Sequence, residues 1–203
     1  MNYTYRPATH TDIARILEIY SPYVEQTTVS FEYTPPTLAE FTERFNSITA
    51  HYPWLVCETN SGEESRKIVG YAYGSRAFTR TAYNWSADIS VYIDESHHRL
   101  GIGHELYTRT ESILALMGYV NLYAVITGTN AGSLAYHEAV GYEKFAVFEK
   151  SGFKFGEWID TVWYRKILNP HSPSPTFPTD FSSLDSSAVR DILDGITEGQ
   201  RRP

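Results

Sequence analysis

Apolar residues first recur at helical spacing at Ile13, Ile16, Leu17 and Tyr20, after a short extended segment, 3–7, that ends at Pro7. Thr9 with Asp12 three places on forms a capping arrangement for that helix. Segment 25–36 shows no period and carries Phe31 and Tyr33 ahead of two prolines. Thr37 and Glu40 then make a capping box for a second helix, with Leu38, Phe41, Phe45 and Ile48 as its inward stripe. Strands at 54–58 and 67–75, joined by a turn at 60–64, precede a polar, aromatic loop at 76–84. The next strand puts Ile89, Val91 and Ile93 on one face and Asp88, Ser90 and Tyr92 on the other. A charged run, 94–99, leads into Gly101-Ile102-Gly103, and helical spacing returns through Ile102, Leu106, Ile113, Leu114 and Met117 until Gly118 stops it.

A buried strand at 122–126 follows, and the helix between these two strands implies a parallel crossover in the sheet. Residues 127–130 open another helix, with Leu134 and Ala135 inward and Gly141 as its C-terminal cap. Strands near 143–150 and 161–167 flank an aromatic and glycine-bearing loop, 151–158. The predicted order is β-α-α-β-β-β-α-β-α-β-β, a mixed α/β domain over residues 1–168. Beyond it, 169–178 holds four prolines in ten residues and reads as an extended strap. Val189, Ile192, Leu193 and Ile196 then fall at helical spacing, so 169–203 is an extension ending in a short amphipathic helix.

Composition narrows the classes. The chain has 203 residues, 42% of them hydrophobic and 20% charged, which suits one globular domain with a sizeable core. A net charge of −7 without any basic tract argues against non-specific nucleic-acid binding. No apolar stretch is long enough to span a membrane and the first residues do not form a secretory leader, so a cytoplasmic location is expected. The lone Cys57 sits in an apolar run and reads as a small core residue rather than a nucleophile. Sixteen tyrosines and four tryptophans suit an aromatic-lined cleft or a rim of half-buried rings.

The strand–glycine loop–helix at 85–106 carries the chemistry. Glycines admit close backbone approach, and a helix start offers unpaired N–H groups with about half a positive charge, together an anion site. Leu106 stands where a dinucleotide fingerprint requires its third glycine, and no Gly-Lys-Ser/Thr follows as in a P-loop. What fits is Arg/Gln-x-x-Gly-x-Gly/Ala, read as His98-Arg99-Leu100-Gly101-Ile102-Gly103 with His98 in the Arg/Gln place. This resembles the pyrophosphate loop of the GNAT superfamily of N-acetyltransferases. About thirty residues on, NAGSLAYHEAVGY is similar to a second pattern of that superfamily, with Asn130 and Ser133 matching, His137 in a slot usually held by Tyr, and Gly141-Tyr142 for Gly-Phe. TTVSFEYTPP, HYPWLVCE, RTAYNWSADISVYI and ELYTRTES further resemble the phosphinothricin and methionine-sulfoximine N-acetyltransferase branch, over residues 3–168.

That resemblance implies a GNAT-like mixed sheet flanked by helices, acetyl-CoA as co-substrate, direct transfer to the amino group of a small amino-acid-like amine, and a homodimer. Asp88 is the implied base, one methylene shorter than the branch's Glu, which points to a water-mediated proton transfer. His137 would protonate the leaving thiolate or orient the water chain. Backbone at Val91, Tyr92 and Ile93, the loop His98 to Gly103, and Asn130 would hold the co-substrate. Arg80 is the candidate for a substrate oxyanion, with Phe31, Tyr33, Tyr73 and Tyr83 as pocket walls. A metal role for His97, His98 and His104 lacks zinc-motif spacing and is set aside. The same motifs are compatible with another acceptor (a polyamine, an aminoglycoside, a peptide N-terminus) or with a non-catalytic acyl-CoA-binding module.

Overall fold

A computed structural model describes residues 2–60 and 66–195. In chain order it contains β1 (Asn2–Pro7), α1 (Ile13–Gln26), α2 (Leu38–Thr49), β2 (Trp54–Asn60), β3 (Lys67–Arg76) and β4 (Ser86–Ile93). Then come α3 (Ile102–Met117), β5 (Asn121–Thr127), α4 (Ala131–Ala139), β6 (Glu143–Lys154), β7 (Glu157–Ile167) and α5 (Ser186–Leu193). Most of the expected turn at 60–64 and the last apolar position, Ile196, lie outside the described residues.

The strands form one seven-stranded sheet in the order β1-β2-β3-β4-β5-β7-β6. Every pairing is antiparallel except β4 with β5, the pair joined by the α3 crossover. The two periodicities meet on its faces. Ala87 and Ile89 pack with Leu106, Ile113, Leu114 and Met117 of α3 on one side. Trp54, Val56 and Tyr71 pack with Ile13, Ile16, Phe41 and Phe45 of α1 and α2 on the other. This is the expected mixed sheet flanked by helices.

Both caps form as the sequence predicts. The Thr9 N–H donates to the Asp12 carboxylate at 2.7 Å, and the Thr37 N–H to Glu40 at 2.8 Å, satisfying donors a helix start would orphan. Two inward positions do not hold: Leu38 is 52% exposed and Ala135 is exposed, while His137 is the residue α4 buries. Leu38 is the first residue of α2, before the helix has turned its stripe onto the sheet.

The expected loop at 151–158 is instead the tip of a long β6–β7 hairpin. Its two central residues, Phe155 (φ 51°) and Gly156 (φ 83°), both take left-handed backbone between the paired Lys154 and Glu157, the geometry that matches strand twist in a two-residue turn. The hairpin is pinned inward. The Lys154 ammonium is buried and donates to the carbonyls of Val24 (2.7 Å), Thr27 (2.8 Å) and Ser30 (2.6 Å), using all three of its protons. Phe31 lies against Gly152, and the Tyr33 hydroxyl donates to the Phe153 carbonyl.

The Pro-rich strap is docked on its own subunit. Asn169 donates to the carbonyls of Ala115 and Tyr119, Trp85 donates to the Thr176 carbonyl at 2.7 Å, and Phe177 stacks on Trp85. Val189 of α5 joins the core over α3.

Candidate active site

A parallel pair must part where one strand's partner leaves the sheet. β4 and β5 pair only at Ser86–Asn121, Ala87–Leu122 and Asp88–Tyr123, then diverge. The gap is a cleft of about 100 Å³ between Ile89–Tyr92 on β4 and Ala124–Thr127 on β5, with Asn130, Ser133 and His137 of the α4 region, Tyr107 of α3 and Val29 at its walls. Asp94 donates its N–H to Val69 of β3, whereas the Ile93 N–H points away from β3. Val91 has the parity of Ile93, so its backbone polar groups face the gap, an unpaired strand edge that an extended ligand can join.

Ile93 is less free than Val91. Its carbonyl accepts from the Tyr23 hydroxyl at 2.6 Å and lies 3.1 Å from His98 Nε2, and its N–H meets the same hydroxyl at 3.3 Å. The His98 side chain is thus turned back onto the end of β4. At the loop the backbone offers the donors: Gly101 (φ 81°) caps α3, and the first helical bond runs from Glu105 N–H to Gly101 carbonyl, leaving earlier amides without a partner inside the helix. Space for a Cβ exists at Gly101, so the left-handed backbone rather than crowding favours glycine there. Arg99 (φ 62°) and Leu100, 52% exposed, make the loop crest.

Asp88 occupies the last paired position before the cleft opens, on the face shared by Ser90, Tyr92 and Tyr73, and does not line the cleft itself. Burial raises its carboxyl from 3.8 to about 6. One carboxylate oxygen, Oδ1, is buried with no hydrogen-bond partner among the described residues. An unpartnered buried acceptor of raised basicity suits a proton acceptor reached through water.

His137 is 4% exposed and spoken for at both ring nitrogens. Nδ1 lies 2.7 Å from the Ser133 carbonyl, which can only accept, so Nδ1 carries the proton; Nε2 then accepts from the Tyr107 hydroxyl at 2.8 Å. Burial lowers its pKa despite the Ser133 contact, keeping the ring neutral. Asn130 caps α4, its Oδ1 accepting from the Ser133 N–H at 3.1 Å, while also lining the cleft.

The other candidates scatter. Tyr73 stacks on Trp54 with ring centroids 4.3 Å apart, and Tyr92 packs against Tyr20, Tyr23 and Tyr71 while touching the cleft. Phe31 and Tyr33 engage the hairpin instead of the cleft, and Tyr33 is 69% exposed. Arg80 is exposed, and the Tyr83 ring packs at a tilt against Phe78 outside the cleft. Tyr107, Val29 and Thr127, whose hydroxyl is buried with no partner among the described residues, are cleft residues that sequence reasoning missed. Tyr107 reads in the sequence as one more core ring of α3.

Comparison with known proteins places this geometry. Residues 6–163 match the acetyltransferase (GNAT) domain family. A phosphinothricin N-acetyltransferase of Streptomyces viridochromogenes is 34% identical over 174 residues, 85% of this chain and 92% of its own. An L-methionine sulfoximine/L-methionine sulfone acetyltransferase of Pseudomonas aeruginosa is 30% identical over 178 residues, 86% of this chain and all of its own. Among solved structures, a GNAT superfamily phosphinothricin acetyltransferase of Sinorhizobium meliloti in complex with AcCoA superposes with a TM-score of 0.81 at 34% identity, covering 87% of this chain and 94% of that one. With a family match across most of its length and a sheet that parts where those motifs fall, the chain belongs to the GNAT family of acetyltransferases.

Proposed function

We propose that the protein transfers the acetyl group of acetyl-CoA directly to the amino group of a small amino-acid-like substrate of the phosphinothricin or methionine-sulfoximine type. The observation that carries this is the parting of β4 from β5 immediately after Asp88, which sets an open strand edge at Val91 beside a buried carboxylate oxygen with no partner among the described residues. In this reading the Val91 backbone pairs with the pantetheine arm, and the amides at the start of α3 take the pyrophosphate. The activated thioester is the co-substrate's contribution; the chain's own residues bind, orient and move protons.

Asp88 accepts the amine proton through water, because its carboxylate stands just short of the cleft. A neutral amine then attacks the thioester with no covalent enzyme intermediate, since the buried Cys57, its thiol pushed up to about 12 first by burial and despite the Tyr5 hydroxyl, is no nucleophile. The substrate class rests on similarity to the named Streptomyces and Pseudomonas enzymes. The test is thiol release from acetyl-CoA with phosphinothricin, methionine sulfoximine, common amino acids, spermidine and an N-terminal peptide. Turnover concentrated on the first two is expected. Turnover only on the others retains the acetyltransferase and discards the substrate class.

The partner proposed is a second copy of this chain. β6 is a sheet edge, and Phe145, Phe148, Phe153 and Trp158 on the β6–β7 hairpin are each more than 40% exposed, an apolar surface unusual for an isolated subunit.

A further inference from the structure

Behind the cleft wall runs a chain of hydroxyl and ionisable groups that the reaction outlined above does not use. The Tyr107 hydroxyl, lining the cleft, donates to His137 Nε2 at 2.8 Å, and His137 is fixed in turn by Ser133. On its far side the Tyr107 ring meets the Tyr142 ring edge to face, with centroids 5.8 Å apart, close enough for the two phenols to interact. Tyr142 donates to Glu111 Oε1 at 2.6 Å, and Lys166 Nζ donates to Glu111 Oε2 at 2.8 Å. Tyr107 and Tyr142 are 2% and 5% exposed, and the Glu111 side chain is 11% exposed; the Lys166 side chain, at 28%, reaches solvent. A carboxylate and two phenols buried in series are costly unless each is satisfied, and here each meets the next.

We propose that Lys166, Glu111, Tyr142 and Tyr107 form a proton relay from solvent to the thioester end of the cleft, with Tyr107 the donor to the departing thiolate and His137 the residue that positions Tyr107. The inference rests on the acetyl-transfer reading. As the carbon–sulfur bond breaks, its electron pair goes to sulfur, and sulfur takes the Tyr107 proton when that hydroxyl turns from His137. Tyr107 is reprotonated by Tyr142 once that hydroxyl turns from Glu111, Tyr142 through Glu111 from the Lys166 ammonium, and Lys166 from water. The attacking ammonium loses two protons by the Asp88 side, so one proton is released overall. His137 itself gives up no proton, because its only N–H is held by Ser133. The His137 role expected from sequence is therefore divided: orientation stays with the histidine and donation moves to Tyr107.

The experiment compares wild type with Tyr107→Phe, Tyr142→Phe and Lys166→Met, using acetyl-CoA and its selenoester analogue, whose selenol departs as the anion without needing a proton. With acetyl-CoA, Tyr107→Phe is expected to lower kcat by about 10²-fold and the other two by several-fold, with KM for acetyl-CoA unchanged. With the selenoester the three deficits largely vanish, which a loss of packing would not do. Lys166→Met keeps the length of the side chain over the Tyr142 ring, removing only the ammonium, and decides the matter if an inner variant fails to fold. A second readout is independent of turnover: the ¹⁵N resonances of His137 should show Nδ1 protonated, with the Nε2 signal shifting in Tyr107→Phe. Protonation at Nε2 instead, undiminished kcat in folded Tyr107→Phe or in Lys166→Met, or equal deficits with both esters would overturn the relay. A wild type that turns over no amine overturns the acetyl-transfer reading along with it, whereas an active wild type with any of those results overturns the relay alone.

Discussion

At the scale of single residues, the two ionisable groups named from sequence behave differently for one physical reason, the supply of partners. Asp88 Oδ1 is buried with no hydrogen-bond partner among the described residues, and burial raises the carboxyl to about 6. The group must be ionised to accept a proton, so kcat/KM should climb with pH through a limb near 6 and level off above it. Asp88→Asn should remove that limb and lower kcat by about a hundredfold or more while leaving CoA affinity unchanged, as read by calorimetry. Stability follows the opposite direction. A folded value above the ordinary 3.8 means the native state holds this proton more tightly, so the stabilisation is full below about 4 and lost as pH rises through about 6. His137, by contrast, spends both ring nitrogens. The sequence placed it on α4 but could not show that, because its partners come from Tyr107, thirty residues away, and from a backbone carbonyl one turn back.

At the scale of elements, what periodicity governs was legible and what backbone dihedrals govern was not. The stripes of α1 and α3, the alternation of β4 and both capping boxes follow from side-chain identity, and they stand in the structure where the pattern puts them. The β6–β7 turn was missed because one of its two left-handed positions is Phe155, with no Asn-Gly or Gly-Gly signature to announce it. That Phe31 and Tyr33 engage the hairpin was not legible for a related reason: segment 25–36 has no period, and its position is set by contacts with a hairpin 120 residues away. Gly152 is the sharpest of these contacts. A Cβ there would lie 2.2 Å from the Phe31 ring, so Gly152→Ala should cost about 1–3 kcal/mol in urea unfolding. It should also raise KM for both substrates, since Val29, a cleft wall, rides on the same segment.

At the scale of the whole molecule, the sheet divides labour between its ends. β1 to β4 are covered on both faces by α1, α2 and α3, with the strap and α5 sealing the α3 side. The other end finishes in β6, a twelve-residue edge with exposed aromatic side chains. Light scattering at micromolar concentration should give the mass of two chains, and Phe148→Asp with Trp158→Asp should reduce it to one; a wild-type monomer would remove the dimer from the proposal. The sequence reading reached that partner only through resemblance, because exposure of a hydrophobic strand face is a property of the assembled sheet. Lys154 has a consequence of another kind. An ammonium whose three protons are all held by carbonyls is shut off from electrophiles, so this lysine should escape amine-acylating reagents for as long as segment 24–30 stays seated on the hairpin. Its slow labelling, followed by mass spectrometry beside the exposed Lys144 and Lys150, would then serve as a clock for how often the cleft's outer wall lifts away.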